Sequence, residues 1–370
     1  MDSTPAPPPA FPRNPVLVRV WRGAHVESQH RGAWALVDAQ GQVVEGAGAF
    51  DEPFFARSAI KSIQALPLLE GGAAERFGID DLELALALSS HNAEELHTRG
   101  VTGLLERLGL DVSHLRCGAQ TPGDPTARAA LAESGEKATA LHNNCSGKHA
   151  AFLAQALHLG VDPANYLDPS CAVQSRVRAV VAELTDLDAD GLETAVDGCS
   201  APTYRLPLGA LALAFARIAS PDGLDAERRL ACQRMLRAVE RHPRAIAGRH
   251  KRLCTELAEV GRGELFPKIG AEAVYAVGIV GTGRALAVKM DDGGPRGLHA
   301  TVIHLLARFG YLKTEQLDRL AKWRPQVLTN WAGLEVGRLE VVPEGVSEPV
   351  SGPVSEPSRF PRTAREGSEG

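Results

Sequence analysis

The 370-residue chain lacks any apolar run of about 18 residues, so no membrane-crossing helix is expected. It lacks a basic excess: 40 Lys and Arg against 45 Asp and Glu give a formal net charge of -5. That balance argues against a nucleic-acid surface and against a polybasic membrane patch. The opening "MDSTPAPPPAFPRNP" has no charged segment followed by an apolar core, so no secretory leader is expected and the cytoplasm is the expected compartment. No internal repeat is visible. Six cysteines, at 117, 145, 171, 199, 232 and 254, lack the short spacings of a disulfide framework, so reduced, mostly buried thiols are expected. Lysine is scarce, eight residues against 32 arginines, so a lysine inside a motif stands out.

What is present reads as an α+β protein. Strands are predicted over 16–22 and 33–47, the latter turning at Gln40–Gly41. "FARSAIKSIQALPLLEGG" (55–72) reads as an amphipathic helix stopped by Gly71 and Gly72. The run 82–90 fits helix or strand, and 93–109 fits a helix. Residues 117–140 look like a polar loop. Helices are predicted over 146–159, 170–185, 207–219, 226–241 and 248–260. Three strands then follow Gly263, before helices at 297–309 and 314–323 and a strand over 335–342. An antiparallel sheet built from both chain ends (15–55 and 264–342), packed against a helical part (56–263), accounts for this order. The proline-rich arm 1–14 and the tail 343–370 are expected to be disordered.

Ser58 and Lys61 stand three apart near a helix start, where their side chains share a face. The pair is either an ordinary surface contact or a nucleophile beside its base. Ser-x-x-Lys alone is weak, and the copy Ser134–Lys137 falls in the polar loop. Two further elements support Ser58: Ser90–His91–Asn92 after an apolar run, and Lys268–Ile269–Gly270 in the first late strand. Ser-x-x-Lys, Ser-x-Asn and Lys-x-Gly, in that order, are the three elements of penicilloyl-serine enzymes. In such a site Lys268 would repel a proton from Lys61, Ser90 would relay one, and backbone N–H groups would hold an oxyanion. The structural alternative for Ser90 and Asn92 is capping of the next helix.

"LHNNCSGKHAAFLA" places Cys145 at a helix start, with Lys148 and His149 one turn on, and "VDGCSAPTYRLP" supplies Asp197 and Cys199. Two such thiolates plus one nitrogen would suit zinc with an open position. The nitrogen is conventionally His149; Lys148 would serve only as a neutral amine. Buried apolar cysteines are the competing reading.

Together with "ARSAIKSIQALPLLEGGAAERFG", "SSHNAEELHT" and "PKIGAEAVYAVG", these segments resemble the asparaginase II family, the rhizobial-type L-asparaginases, from about Pro15 to about Gly337. The resemblance implies a serine β-lactamase/glutaminase-like fold and an L-asparaginase acting through an acyl-enzyme. Ser58 matches the nucleophile, Lys61 its base, and Ser90 and Lys268 the second serine–lysine pair. Cys145, Lys148 and Cys199 match zinc ligands, with Asp197 touching the lysine, and a homodimer is implied. Arg57, His91, Asn92, Lys148 and Asp197 are the candidate substrate contacts, Arg57 for a carboxylate. Competing expectations are a glutaminase, a β-lactam-reactive acyl-serine enzyme, and a non-catalytic zinc- or amino-acid-binding protein.

Overall fold

The computed structural model describes residues 14–343 and 345. Its strands are β1 (Val16–Arg22), β2 (His25–Asp38), β3 (Val43–Ala47), β4 (Pro53–Phe55), β5 (Thr194–Val196), β6 (Pro202–Pro207), β7 (Leu265–Gly270), β8 (Val274–Ile279), β9 (Arg284–Met290), β10 (Gln326–Thr329) and β11 (Glu335–Val341). The main sheet runs β10-β11-β1-β2-β9-β8-β7, with β3 also on β2, and its pairings are antiparallel. Both chain ends therefore build one sheet, as the order of elements predicted.

Strand β2 serves two neighbours in turn. Residues 25–31 pair with β1 and residues 32–38 with β9, while β3 takes its other edge. Alternation along its second half sends side chains to two faces. Ala33, Ala35 and Val37 pack with Leu208, Ala212 and Leu213 of the helix Leu208–Ala219. Trp34 points the other way, its ring 5.9 Å from that of Phe309 beyond the helix Pro295–Arg308. The sheet is thus covered on both sides, and the helical part lies between its two contributions in sequence. This is the mixed α+β architecture expected, an antiparallel sheet from both chain ends packed against helices. No helix among the described residues is long and apolar enough to cross a membrane.

Several boundaries differ from the sequence reading. The stretch after Phe55 is not one helix. A 3-10 turn over Arg57–Ile60 leads into two short helices, Lys61–Gln64 and Leu66–Leu69. The ambiguous run becomes the helix Asp81–Ala87, fixed by a reciprocal cap in which Asp80 accepts from Glu83 N and Glu83 from Asp80 N. The expected loop 117–140 contains the helix Pro125–Ser134, with Asp124 accepting from Ala127 N at its start. Strand β4, at the end of the first sheet segment, joins β6 and β5 of the helical part in a separate small sheet. Asn14, assigned to the disordered arm, is buried and bonds Asp291 and Ala49 N. The rest of that arm lies outside the described residues, as does the expected tail apart from Pro343 and Gly345.

Candidate active site

The small sheet aims the Ser58 turn. Strand β4 pairs with β6, Ala56 N bonds Tyr204 O at 3.0 Å, and Arg57 N donates to Thr203 Oγ1 at 3.1 Å. Arg57 sits at φ +50, a region non-glycine residues rarely adopt, and Ser58 follows it directly. Such strain persists only where surrounding contacts over-determine it, and it clusters at functional sites. The Arg57 guanidinium is one of those contacts, donating from Nε to Asp197 Oδ1 at 2.5 Å.

Lys61, three residues on, is fully buried. Its Nζ donates to Ser89 O at 2.5 Å, Ser90 Oγ at 3.2 Å and Asn144 O at 3.2 Å. Ser90 follows the helix Asp81–Ala87, and its N–H is fixed to Ile246 O at 2.9 Å. From the far side Lys268 Nζ, on β7, donates to Ser90 Oγ at 3.0 Å and to Ile269 O at 2.8 Å. Ser90 Oγ therefore lies between two buried amines. Burial, and then the charge of Lys61, pull the Lys268 amine down to about 7. The repulsion between the two amines that the sequence suggested contributes to the depression of Lys268. Gly270 completes the Lys-x-Gly element by letting β7 approach the Ser58 turn. A Cβ there would stand 2.9 Å from Ala56 O and 3.0 Å from Ala59 N.

Ser58 and Ser90 share a cavity of about 260 Å³ with Asn144, Lys251, Arg252, Leu253, Cys254, Ile269, Gly270, Ala271 and His299. Ser58 Oγ has no hydrogen-bond partner among the described residues. A larger depression of about 600 Å³ lies by Glu94, Asp124 and Arg244 and contains neither serine. Both candidate serines line the smaller one. Arg57, His91, Asn92, Lys148 and Asp197 are absent from its lining. Cys254, read as a buried structural thiol, belongs to that lining, and so does Arg252, which sequence reasoning passed over.

His91 and Asn92 instead hold the walls. Ala93 N–H donates to His91 Nδ1, so the ring proton belongs on Nε2, which meets Ser146 Oγ at 2.9 Å. Burial holds this imidazole neutral, well below its usual range. Asn92 Oδ1 accepts from Arg252 at 2.9 Å.

Ser146 opens the helix Ser146–Leu159, and Cys145 precedes it. A glycine at 147 is required because any Cβ there would clash with Leu86 O. At this helix start Cys145 and Lys148 meet Cys199 of the loop before β6. Lys148 Nζ donates to Cys199 Sγ at 3.2 Å, and Cys199 Sγ lies 3.8 Å from Asp197 Oδ2. The hydrogen bond from Cys199 holds the Cys145 thiol well below its usual range despite burial. The same bond, with burial, raises Cys199. Burial disfavours the Lys148 ammonium, yet Cys199 and Cys145 more than offset it and raise the amine. Burial would raise Asp197, but the Arg57 hydrogen bond and the Lys148 charge keep it below the usual carboxylate range. His149, the conventional metal nitrogen, is turned elsewhere: its Nδ1 meets Tyr166 OH at 2.6 Å. Among the described residues no three or more His, Cys, Asp or Glu side chains are grouped to hold a metal. The donors that do converge are two sulfurs and an amine.

By its residues this is a serine–lysine site beside a thiol–amine cluster. Residues 18–341 match the family model described as L-asparaginase II, and the chain belongs to that family. The family is one of amidohydrolases acting on small-molecule substrates. Among solved structures, the chain is similar to one described as "Crystal Structure Analysis of Mglu in its tris and glutamate form", at 15% identity and a TM-score of 0.39. That match covers 80% of this chain and 63% of the other, so the chain spans less than two thirds of that protein. No curated protein matches.

Proposed function

We propose that this protein is an L-asparaginase, hydrolysing L-asparagine to L-aspartate and ammonia through an aspartyl ester on Ser58. The observation that carries this reading is Ser90 Oγ held between the buried amines of Lys61 and Lys268, in the cavity that also holds Ser58. A serine hydroxyl needs a neutral base to become a nucleophile. Lys268, with its amine near 7, accepts a proton through Ser90 from Lys61, and Lys61 then takes the proton of Ser58. Ser58 Oγ bonds the side-chain amide carbon. The C–N bond breaks, and the departing nitrogen receives a proton back from Lys61. Water, deprotonated by the same chain of groups, cleaves the ester and returns Ser58. Lys61 and Ser58 share no hydrogen bond here, and catalytic contacts of this kind often tighten only around substrate.

Zinc is the metal we propose for the thiol–amine cluster. The 3.2 Å between Lys148 Nζ and Cys199 Sγ is close to the roughly 3.5 Å that separates two ligands of a tetrahedral zinc with bonds of about 2.0–2.3 Å. Cys145, Lys148 and Cys199 would hold it, once Lys148 gives up its proton to make room for the metal. When bound it supplies positive charge and an open position at which substrate is held. Asp197 and Arg57 brace that cluster against the Ser58 turn.

The direct test is ammonia release from L-asparagine and L-glutamine, alongside turnover of a chromogenic cephalosporin. L-asparagine is expected to be favoured over L-glutamine by about a hundredfold in kcat/KM, since one extra methylene misplaces the amide carbon by over about an ångström. Equal efficiencies would remove the substrate preference, and cephalosporin turnover without amide turnover would replace the reading with a β-lactam-reactive enzyme.

Cys145→Ser and Cys199→Ser are each expected to lose zinc, because a hydroxyl stays protonated where a thiol ionises. The variants should remain folded, with KM raised more than kcat falls, the pattern of lost substrate binding. Elemental analysis beside full kinetics checks this. Zinc kept after both substitutions would remove it from this cluster. A homodimer in the cytoplasm is the form in which we propose the enzyme works, tested by sedimentation and cell fractionation. All six cysteines are free, which suits a reducing compartment.

A further inference from the structure

Three cationic side chains crowd Ser90, none paired with a described carboxylate, and Arg252 keeps N–H donors to spare. Lys61 finds three oxygen acceptors and Lys268 two, all within the chain. Arg252 offers five N–H donors. NH1 donates to Asn92 Oδ1 and NH2 to Ser90 O. Its other N–H groups have no partner among the described residues.

Several other sheltered arginines in this fold have carboxylates, although Arg178 rests on the carbonyls of Ala189 and Leu192. Arg228 pairs with Glu70, Arg217 with Asp186, and Arg57 with Asp197. No described carboxylate pairs with Arg252. Glu94 acts on it only at a distance, being engaged by Arg244 and by the N–H of Arg249. Arg252 is half-buried at the cavity wall, and sheltering a guanidinium there without a counter-charge is costly, which leaves its charge available to an anion in the cavity.

The cavity supplies an independent reason. Its wall carries Lys251 and Arg252 and no Asp or Glu, so it favours an anion. Its volume of about 260 Å³ lies just under the range of roughly 300–1,000 Å³ typical of sites for drug-sized ligands, and suits an amino acid. Arg57, the sequence-based candidate for a carboxylate, is already committed to Asp197 and lies outside this lining.

We propose that Arg252 binds the free α-carboxylate of the substrate and makes that carboxylate a condition of turnover. The assignment rests on the amidohydrolase reading. A guanidinium fork matches a carboxylate with two parallel hydrogen bonds, which fixes the plane of the group as well as its place. With that end anchored, only a side chain of one length puts its amide carbon at Ser58.

The test compares L-asparagine with its α-N-methylamide, which keeps the side-chain amide and lacks the carboxylate. Ammonia then comes only from the side chain. The unaltered protein is expected to favour L-asparagine by on the order of 10- to 100-fold in kcat/KM, the range for a hydrogen bond to a charged group. Arg252→Met should lose about that factor on L-asparagine and little on the methylamide, so the preference collapses towards one. Arg252→Lys, keeping charge without the fork, should retain part of it. An equal loss on both substrates would mean that Arg252 only props Ser90, and would overturn the proposal. So would an intact preference in Arg252→Met, or none in the unaltered protein. If Arg252→Met does not fold by circular dichroism, the Arg252→Lys comparison decides, and an unchanged preference there refutes the anchor. If the unaltered protein does not hydrolyse L-asparagine, the L-asparaginase reading fails. Calorimetry with L-aspartate then decides the anchor separately: weaker binding to the Arg252 variant supports it, and equal binding overturns it.

Discussion

Ser58→Ala is expected to lower turnover of L-asparagine by at least about a thousandfold while leaving the fold and metal content unchanged. The substitution removes one oxygen that makes no hydrogen bond among the described residues, so the native state loses little. The acyl-enzyme loses its only attachment point. What survives is the contribution of binding and of any oxyanion hole, which in comparable serine sites is about 10³–10⁴-fold over water and far below the full rate. Lys61→Ala should fall nearly as far, and the double variant scarcely further, because groups acting as a unit do not lose additively. Single-turnover kinetics with circular dichroism and elemental analysis provide the check. A Ser58→Ala enzyme retaining more than about a thousandth of the native rate would move the nucleophile elsewhere.

The second large effect concerns pH. With its amine near 7, Lys268 carries a proton below neutrality and is free of it above. The proposed relay needs the free amine, so kcat/KM should climb as pH rises through about 7 and then level off. Lys268→Met should abolish that limb and cost about 10²–10⁴-fold in rate, the usual contribution of positioned acid–base catalysis. The sign for stability runs the same way. An unfolded lysine titrates near about 10.4, so between about 7 and that value the unfolded chain binds the extra proton. The contribution of Lys268 therefore favours the folded state increasingly as pH rises across that window. A pH–rate profile flat across neutrality, or one that Lys268→Met leaves untouched, would sink the relay.

How far the sequence foretold this site depends on how local each signal was. The helix Ser146–Leu159 was legible because an apolar pattern ends at Gly160, and the three late strands because glycine turns separate them. The helix Pro125–Ser134 was missed although Asp124, Pro125 and Gly135 mark its start and stop. No residue of it is buried, so the apolar periodicity that identified its neighbours was absent. Strands β4, β5 and β6 gave too little local pattern to read, since three or six residues pair only because the chain brings them together. The serine–lysine elements announced themselves by residue type. Arg252 did not, being one of 32 arginines. Its significance is a missing partner, and an absence across space leaves no mark along a sequence.

The backbone at Arg57 has a consequence for how this region tolerates change. Its left-handed conformation is held through the N–H by Thr203 and through the guanidinium by Asp197, next door to Cys199. Positions 57, 197 and 203 thus behave as a single inherited unit rather than three independent sites. Substitutions there should be strongly epistatic: a replacement harmful alone is accommodated when its counterpart changes too, as residues in one hydrogen-bonded network do not add. A mutational library that varied them one at a time would score each as immutable and overlook the paired solutions.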